Sequence, residues 1–204
     1  ALNQGFRKAF DAVEPTNQRI LLALDTSTSM KGTSCGGINQ LNCQEASAAL
    51  ALLWANVEPR IEIVGFTGSE NSLNVSRREA TTEDISRLDI SADQRLDEVL
   101  AYMQRLPFGP TDCSLPARWA QTSQDDYDAI IVLTDSETWI GDTHPHEALQ
   151  KYRQGTAQDV RFIVCAMAGN DFTIAEPDDP LSMDIVGFDS STPRLMSEFL
   201  RGNL

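Results

Sequence analysis

Three short stretches of the chain concentrate carboxylates and hydroxyls: Asp25-Thr-Ser27-Thr-Ser29-Met30, Gly109-Pro-Thr111-Asp112 and Thr134-Asp135-Ser136-Glu137. Oxygen donors alone suit a hard divalent cation, above all Mg²⁺, which favours octahedral geometry and keeps several waters. Asp25 and Asp135 balance the charge of such an ion, and the hydroxyls of Ser27, Ser29 and Thr111 add none. Ser27 and Ser29 lie two apart, so an extended turn aims both hydroxyls the same way. The set predicts a bound cation, Mg²⁺ first with Mn²⁺ or Ca²⁺ as alternatives. One coordination position would stay open for a carboxylate or phosphate of a partner. A D-x-S-x-S string alone reads equally well as an Asx- or Ser-type turn capping a helix. Thr111 and Asp135 tip it towards metal.

Other chemistries fit less well. A D-x-D phosphoryl-transfer site needs an acid where Ser27 stands, and no G-x-x-x-x-G-K-[ST] loop occurs. Gly32-x-Ser34-x-Gly36 matches the nucleophile elbow of a serine hydrolase, with His144 and His146 as the available bases. An elbow requires its serine on a sharp strand-to-helix turn, whereas Ser34 lies nine residues past Asp25 in a Gly-rich loop. His144-x-His146 alone is weak as a metal pair, and His144 suits a cap for a helix starting at Pro145. Glu137 and Asp112 could orient waters around a cation or be plain loop charge.

These residues need a scaffold that brings loop ends together. Continuous apolar runs over residues 19–25, 60–66, 128–134 and 160–167 read as strands buried on both faces; 183–187 is a weaker one. Leu73-Asn-Val75 reads as a short edge strand. Helical spacing joins Ala46, Leu50, Leu53 and Val57, and again Leu96, Val99, Leu100, Met103 and Leu106, with Ser91 as a candidate cap. Further helices are expected over 115–122, 145–152 and 193–200, the last two opened by Pro145 and Pro193. The alternation predicts one α/β domain over 1–204, doubly wound around a mostly parallel sheet, with helices on both faces. Residues 1–18 would form a lead-in. In such sheets ligands sit beyond the carboxyl ends of the strands, where all three oxygen-rich stretches fall.

The 204 residues are 41% hydrophobic and carry 16 basic against 30 acidic side chains, a net charge of -14. That balance disfavours a free-standing nucleic-acid binder, because phosphate affinity comes from clustered cations. Arg77-Arg78 is a local exception, read as a solvated strand end. No apolar run approaches the ~18 residues of a membrane span. With no signal core and no starting Met, the chain reads as a cytoplasmic piece of something larger. Cys35, Cys43, Cys113 and Cys165 lack C-x-x-C spacing and are expected as thiols, Cys165 as a buried hydrophobe. Cys35 and Cys113 would meet near the metal edge. Met30, Trp54, Trp119 and Trp139 are read as packing.

Asp25-x-Ser27-x-Ser29, Thr111 and Asp135, in this order and spacing, resemble the metal-ion-dependent adhesion site of von Willebrand factor A domains. The resemblance implies that the serines and Thr111 contact the metal, that the aspartates act through water, and that a partner's acidic side chain completes the shell. A closer likeness spans nearly the whole chain. It rests on 13–16 (VEPT), 109–116 (GPTDCSLP), 133–139 (LTDSETW), 144–149 (HPHEAL), 172–179 and 186–189 (VGFD). Together these resemble the carboxyl-terminal A-domain of the Ro ribonucleoprotein family. That likeness implies an upstream ring of helical repeats binding Y RNA and the ends of misfolded RNAs. RNA would then reach this domain only indirectly. An alternative role is structural, closing and orienting the ring with the metal incidental.

Overall fold

The computed structural model describes residues 13–36, 38–67, 84–106, 109–123, 125–135, 143–168 and 174–204. The apolar runs form a six-stranded sheet ordered β5-β4-β1-β6-β7-β8, with β1 (Ile20–Asp25), β4 (Ile61–Phe66) and β5 (Ile85–Arg87) on one side. β6 (Ala129–Thr134), β7 (Arg161–Ala166) and β8 (Ser182–Val186) complete it. All pairings are parallel except β4 with β5. The doubly wound α/β expectation is met.

Side chains in a strand alternate between faces, and β1 divides accordingly. Ile20, Leu22 and Leu24 enter one core layer, with α2 (Cys43–Val57), α3 (Leu96–Met103) and α6 (Thr192–Leu200). Leu21 and Ala23 enter the other, with α4 (Leu115–Ser123) and α5 (Pro145–Thr156). Every residue of β1 and β6 is buried, which is why both read as unbroken apolar runs. Each fully buried Leu or Ile contributes about 1.5–3 kcal/mol.

Local signals set the helix ends. Asn42 Oδ1 accepts from Glu45 N at 2.8 Å and Asn42 N donates back to Glu45 Oε2 at 3.1 Å, a capping box opening α2. His144 caps α5 as expected, its Nδ1 accepting from His146 N at 3.3 Å. Ser91 does not cap α3. Its N–H donates to Gln94 Oε1 at 2.9 Å in a preceding turn. The start is fixed instead by Glu98, whose carboxylate accepts from Arg95 N at 2.8 Å.

Two features were absent from the sequence reading. The Gly-rich stretch after Ser29 begins with a one-turn helix α1 (Ser29–Gly32) and continues as an antiparallel hairpin of β2 (Ser34–Cys35) and β3 (Ile38–Asn42). β5 was also missed, having one apolar residue in three. The expected strand at Leu73–Val75, Arg77-Arg78, Trp139 and most of the lead-in lie outside the described residues. Met30 and Trp54 are fully buried packing, and Trp119 Nε1 donates to Glu62 Oε1 at 2.9 Å. Among the described residues no helix is long and apolar enough to cross a membrane.

Candidate metal centre

The carboxyl ends of β1 and β6 are neighbours. Leu24 pairs with Leu133, so Asp25 and Thr134 come next in register and point to the same face of the sheet. Thr134 Oγ1 donates to Asp25 Oδ2 at 2.6 Å. Past Asp25 the chain turns tightly, and Ser27 N donates to Asp25 Oδ1 at 2.7 Å. That turn sets the Ser27 and Ser29 hydroxyls 3.0 Å apart, as their spacing predicted.

The loop before α4 supplies Thr111, whose hydroxyl lies 3.3 Å from Asp25 Oδ2 and 3.5 Å from Oδ1. Thr67 Oγ1 holds this loop by donating to Pro110 O at 3.1 Å. Asp135, fully buried, follows β6 directly. Burial above all pushes the Asp25 carboxyl up, to about 6 from an ordinary 3.8, and the nearby Asp135 charge adds to the rise. The hydrogen bonds from Thr134 and Ser27 act against it without prevailing.

Asp25, Ser27, Ser29 and Thr111 are thus linked in one run of contacts, Thr111 and Ser27 on Asp25 and Ser29 on Ser27, with Asp135 close enough for its charge to be felt. The D-x-S-x-S turn reading holds for Ser27 N and Asp25, yet it leaves the serine hydroxyls turned on one another rather than capping a helix. A hard cation fits this donor set: two buried carboxylates for its charge and three hydroxyls that add none. No basic side chain pairs with Asp25 among the described residues. Nor does any trio of His, Cys, Asp or Glu that could hold a metal stand together among the described residues.

Thr134 is the residue that sequence reasoning overlooked, although it stands in the quoted Thr134-Asp135 pair. The signal was available: the register of two buried strands puts it beside Asp25. Asp112 turns inward, its Oδ1 accepting from Ser114 N at 2.9 Å and Ser114 Oγ at 2.7 Å, so it caps the approach to α4. Glu137 lies outside the described residues.

One expectation is corrected, and one disfavoured alternative loses its geometry. Cys113 sits beneath the site in the α4/α5 layer, its thiol pushed well up by burial and then by the charges of Asp25, Asp112 and Asp135. Cys35 belongs to the opposite layer with Cys43 and Cys165, so the sheet separates it from Cys113. The hydrolase elbow also fails. Ser34 pairs with Asn42 inside the hairpin, not on a turn leaving a central strand for a helix.

A mostly parallel sheet that gathers hydroxyl and carboxylate loops at its strand ends defines a von Willebrand A-type domain. Within that class the chain belongs to the Ro60 vWA domain family, whose model matches residues 19–200. The RNA-binding protein RO60 of Caenorhabditis elegans is 37% identical over 205 residues, covering 100% of this chain and 29% of that protein. Its namesake from Deinococcus radiodurans is 34% identical over 204 residues, covering 100% and 36%. The crystal structure of the D. radiodurans RO (RSR) protein has a TM-score of 0.84 at 34% identity, covering 100% of this chain and 38% of that one. Proximal thread matrix protein 1 of the mussel byssus shares the fold alone, with a TM-score of 0.55 at 12% identity over 93% of this chain and 48% of its own. The chain spans about a third of the length of its RO60 relatives.

Proposed function

We propose that this chain is a non-enzymatic, metal-dependent interaction module of an RNA-binding Ro-type protein, working in the cytoplasm. The observation that carries the proposal is the state of Asp25: wholly buried, touched by hydroxyls from other segments, and without a basic partner among the described residues. A protein that buries a carboxylate unneutralised spends stability on it, and such groups cluster at functional sites. Asp25, Ser27, Ser29, Thr111 and Asp135 would hold the cation, with Mg²⁺ the best fit and Mn²⁺ or Ca²⁺ alternatives. When bound, the ion supplies an electrophilic centre with an open position for an acidic group of a protein partner. Thr134 orients Asp25 for that role. RNA contact falls to the remaining two-thirds of the longer protein, in keeping with the RNA-binding names of the relatives and the -14 charge here.

Titration calorimetry with MgCl₂ and MnCl₂ tests the reading. Saturable heat that disappears in Asp25→Ala supports it, and heat unchanged by that substitution removes the site.

A second reading is structural: the domain orients an RNA-binding ring and the cation is incidental. It draws on the relatives being about three times as long as this chain. In the full-length protein, Asp25→Ala and Ser27→Ala should then leave assembly and RNA affinity unchanged. Under the first reading they abolish capture of a partner by a Mg²⁺-dependent contact.

A further inference from the structure

The hairpin that follows the metal loop brings two thiols together. Ser34 pairs with Asn42, and Cys43 N donates to Thr33 O at 3.0 Å, so Cys35 and Cys43 flank the same paired segment. Their side chains turn into the α2 layer, both fully buried in one core cluster, and a hydrogen bond with Cys43 draws the Cys35 thiol down. Cys165 on β7 lies close to Cys35, while its own thiol is turned towards Gly187 O at 4.0 Å. Cys113 is on the other side of the sheet. The four thiols therefore divide into a pair flanking one hairpin, a neighbour held in a central strand, and one on the other side of the sheet.

We propose that Cys35 and Cys43 are a reversible disulfide pair, closed by a peroxide-class oxidant and reopened by a small thiol. Cys35 sulfur attacks the peroxide O–O bond, becomes a sulfenic acid and releases one water. Cys43 sulfur then attacks the sulfenic sulfur, forming the S–S bond as the second water leaves. Two thiols give up two protons and two electrons, and the peroxide is reduced to two waters.

The assignment of roles follows from the surroundings. The hydrogen bond from Cys43 holds the Cys35 thiol below the ordinary 9.0, favouring the thiolate that attacks peroxide. Burial pushes Cys165 up to about 12, so it remains a thiol and a poor competitor. The hairpin also limits access, since neither sulfur reaches solvent. A two-residue strand paired to a five-residue one is the kind of unit that opens locally, without global unfolding. Oxidation is accordingly slow, and it accelerates in urea too dilute to unfold the domain. The pair stands apart from the metal proposal, because neither cysteine is among the cation's oxygen donors.

The test treats the whole reduced chain with hydrogen peroxide, alkylates the remaining thiols after denaturation, and maps the peptides by mass spectrometry. Two of the four thiols should be lost in a peptide linking Cys35 to Cys43, and dithiothreitol should restore them. In Cys43→Ser, whose hydroxyl keeps a donor beside Cys35, Cys35 should instead be trapped as sulfenic acid by dimedone, and in Cys43→Ala, which removes that donor, more slowly. The proposal is overturned if all four thiols survive peroxide under non-denaturing conditions. A linkage through Cys113 or Cys165, or a disulfide that still forms without Cys43, overturns it equally.

Discussion

Two buried carboxylates at opposite roles in the fold show what the protein does with charge. Asp179 lies 11% exposed beside Arg153, itself 9% exposed, with Nη1 to Oδ2 at 2.6 Å. Arg153 donates further to Val160 O from Nε at 2.9 Å and Nη2 at 2.7 Å, tying α5 to the start of β7. Burial raises Asp179, but the hydroxyl of Ser182, the guanidinium of Arg153 and the N–H of Leu181 outweigh it and hold the carboxyl below its usual range. Asp25 has hydroxyls and one backbone N–H in place of a guanidinium, and a like charge nearby, and it rises to about 6. A compensated buried charge fastens elements together. An uncompensated one stores unfavourable energy that protonation relieves, and that the proposed cation would relieve at neutral pH.

The largest effect should come from breaking the compensated pair. Arg153→Ala leaves Asp179 buried without its cation and removes the α5–β7 tie. We expect a loss of roughly 3–5 kcal/mol in urea unfolding, typical of a buried ion pair stripped of one partner. A loss under 1 kcal/mol would erase the distinction drawn between the two carboxylates.

Asp25 should behave in the opposite sense. Its folded value, about 6, lies above the ordinary 3.8 that applies to the unfolded chain, so the folded state holds the proton more tightly. Stability from this group is therefore complete below about pH 4 and lost as pH rises through about 6. At about 1.4 kcal/mol per tenfold change, the loss is roughly 3 kcal/mol. In EDTA, Asp25→Asn should be more stable than the parent at pH 8 by up to that amount, with the advantage vanishing near pH 4. Parallel pH-unfolding curves would contradict the placement of an uncompensated charge here. Magnesium should then largely close that gap. At a hundredfold excess over its dissociation constant it adds about 2.7 kcal/mol to the parent and nothing to Asp25→Asn, readable as a Tm shift.

Legibility in the sequence followed burial. β1, β4, β6 and β7 were readable because strands covered on both faces must be apolar throughout, and runs such as Ile20–Leu24 admit few other interpretations. The β2–β3 hairpin was hidden because its residues, Ser34 and Asn39 among them, are those of loops; its pairing is decided by the tertiary contact of Gly36 N with Met167 O at 2.8 Å. Gly36, with φ of 55°, brings its backbone so near Phe188 that a Cβ would meet Phe188 O at 2.8 Å. In the candidate site, the D-x-S-x-S spacing is local and so is visible, and the second and third stretches are placed by the strand-end rule. The four cysteines are free thiols as expected, but Cys35 and Cys113 do not meet, because proximity to one sheet edge does not say which face a side chain enters.

Thr134 separates a spacing-based description from a register-based one. Thr134→Val keeps the shape and removes the hydroxyl that Asp25 Oδ2 accepts at 2.6 Å. Groups that orient a metal-binding carboxylate typically contribute about 10–100-fold in affinity. Calorimetry should show Mg²⁺ binding weakened within that range, with the folded content unchanged by circular dichroism. Unaltered binding would make Thr134 packing alone.

The smallest effect belongs to a pair that geometry alone would rank beside the first. Arg95 Nε and Asp97 Oδ1 are 2.9 Å apart, about as close as Arg153 and Asp179, yet the two side chains are 61% and 65% exposed. Water already solvates both charges, and salt screens what attraction remains. Arg95→Ala should therefore change stability by less than about 0.5 kcal/mol, and raising NaCl should leave the parent and the variant indistinguishable. The same substitution in the buried pair is expected to cost roughly 3–5 kcal/mol. Since the distances are similar, that difference would come from burial together with the bonds that Arg153 alone makes to Val160 O. A loss at Arg95 approaching that at Arg153 would mean that contact distance, rather than burial, sets the strength of these charges, and the reading of Asp25 would lose its footing.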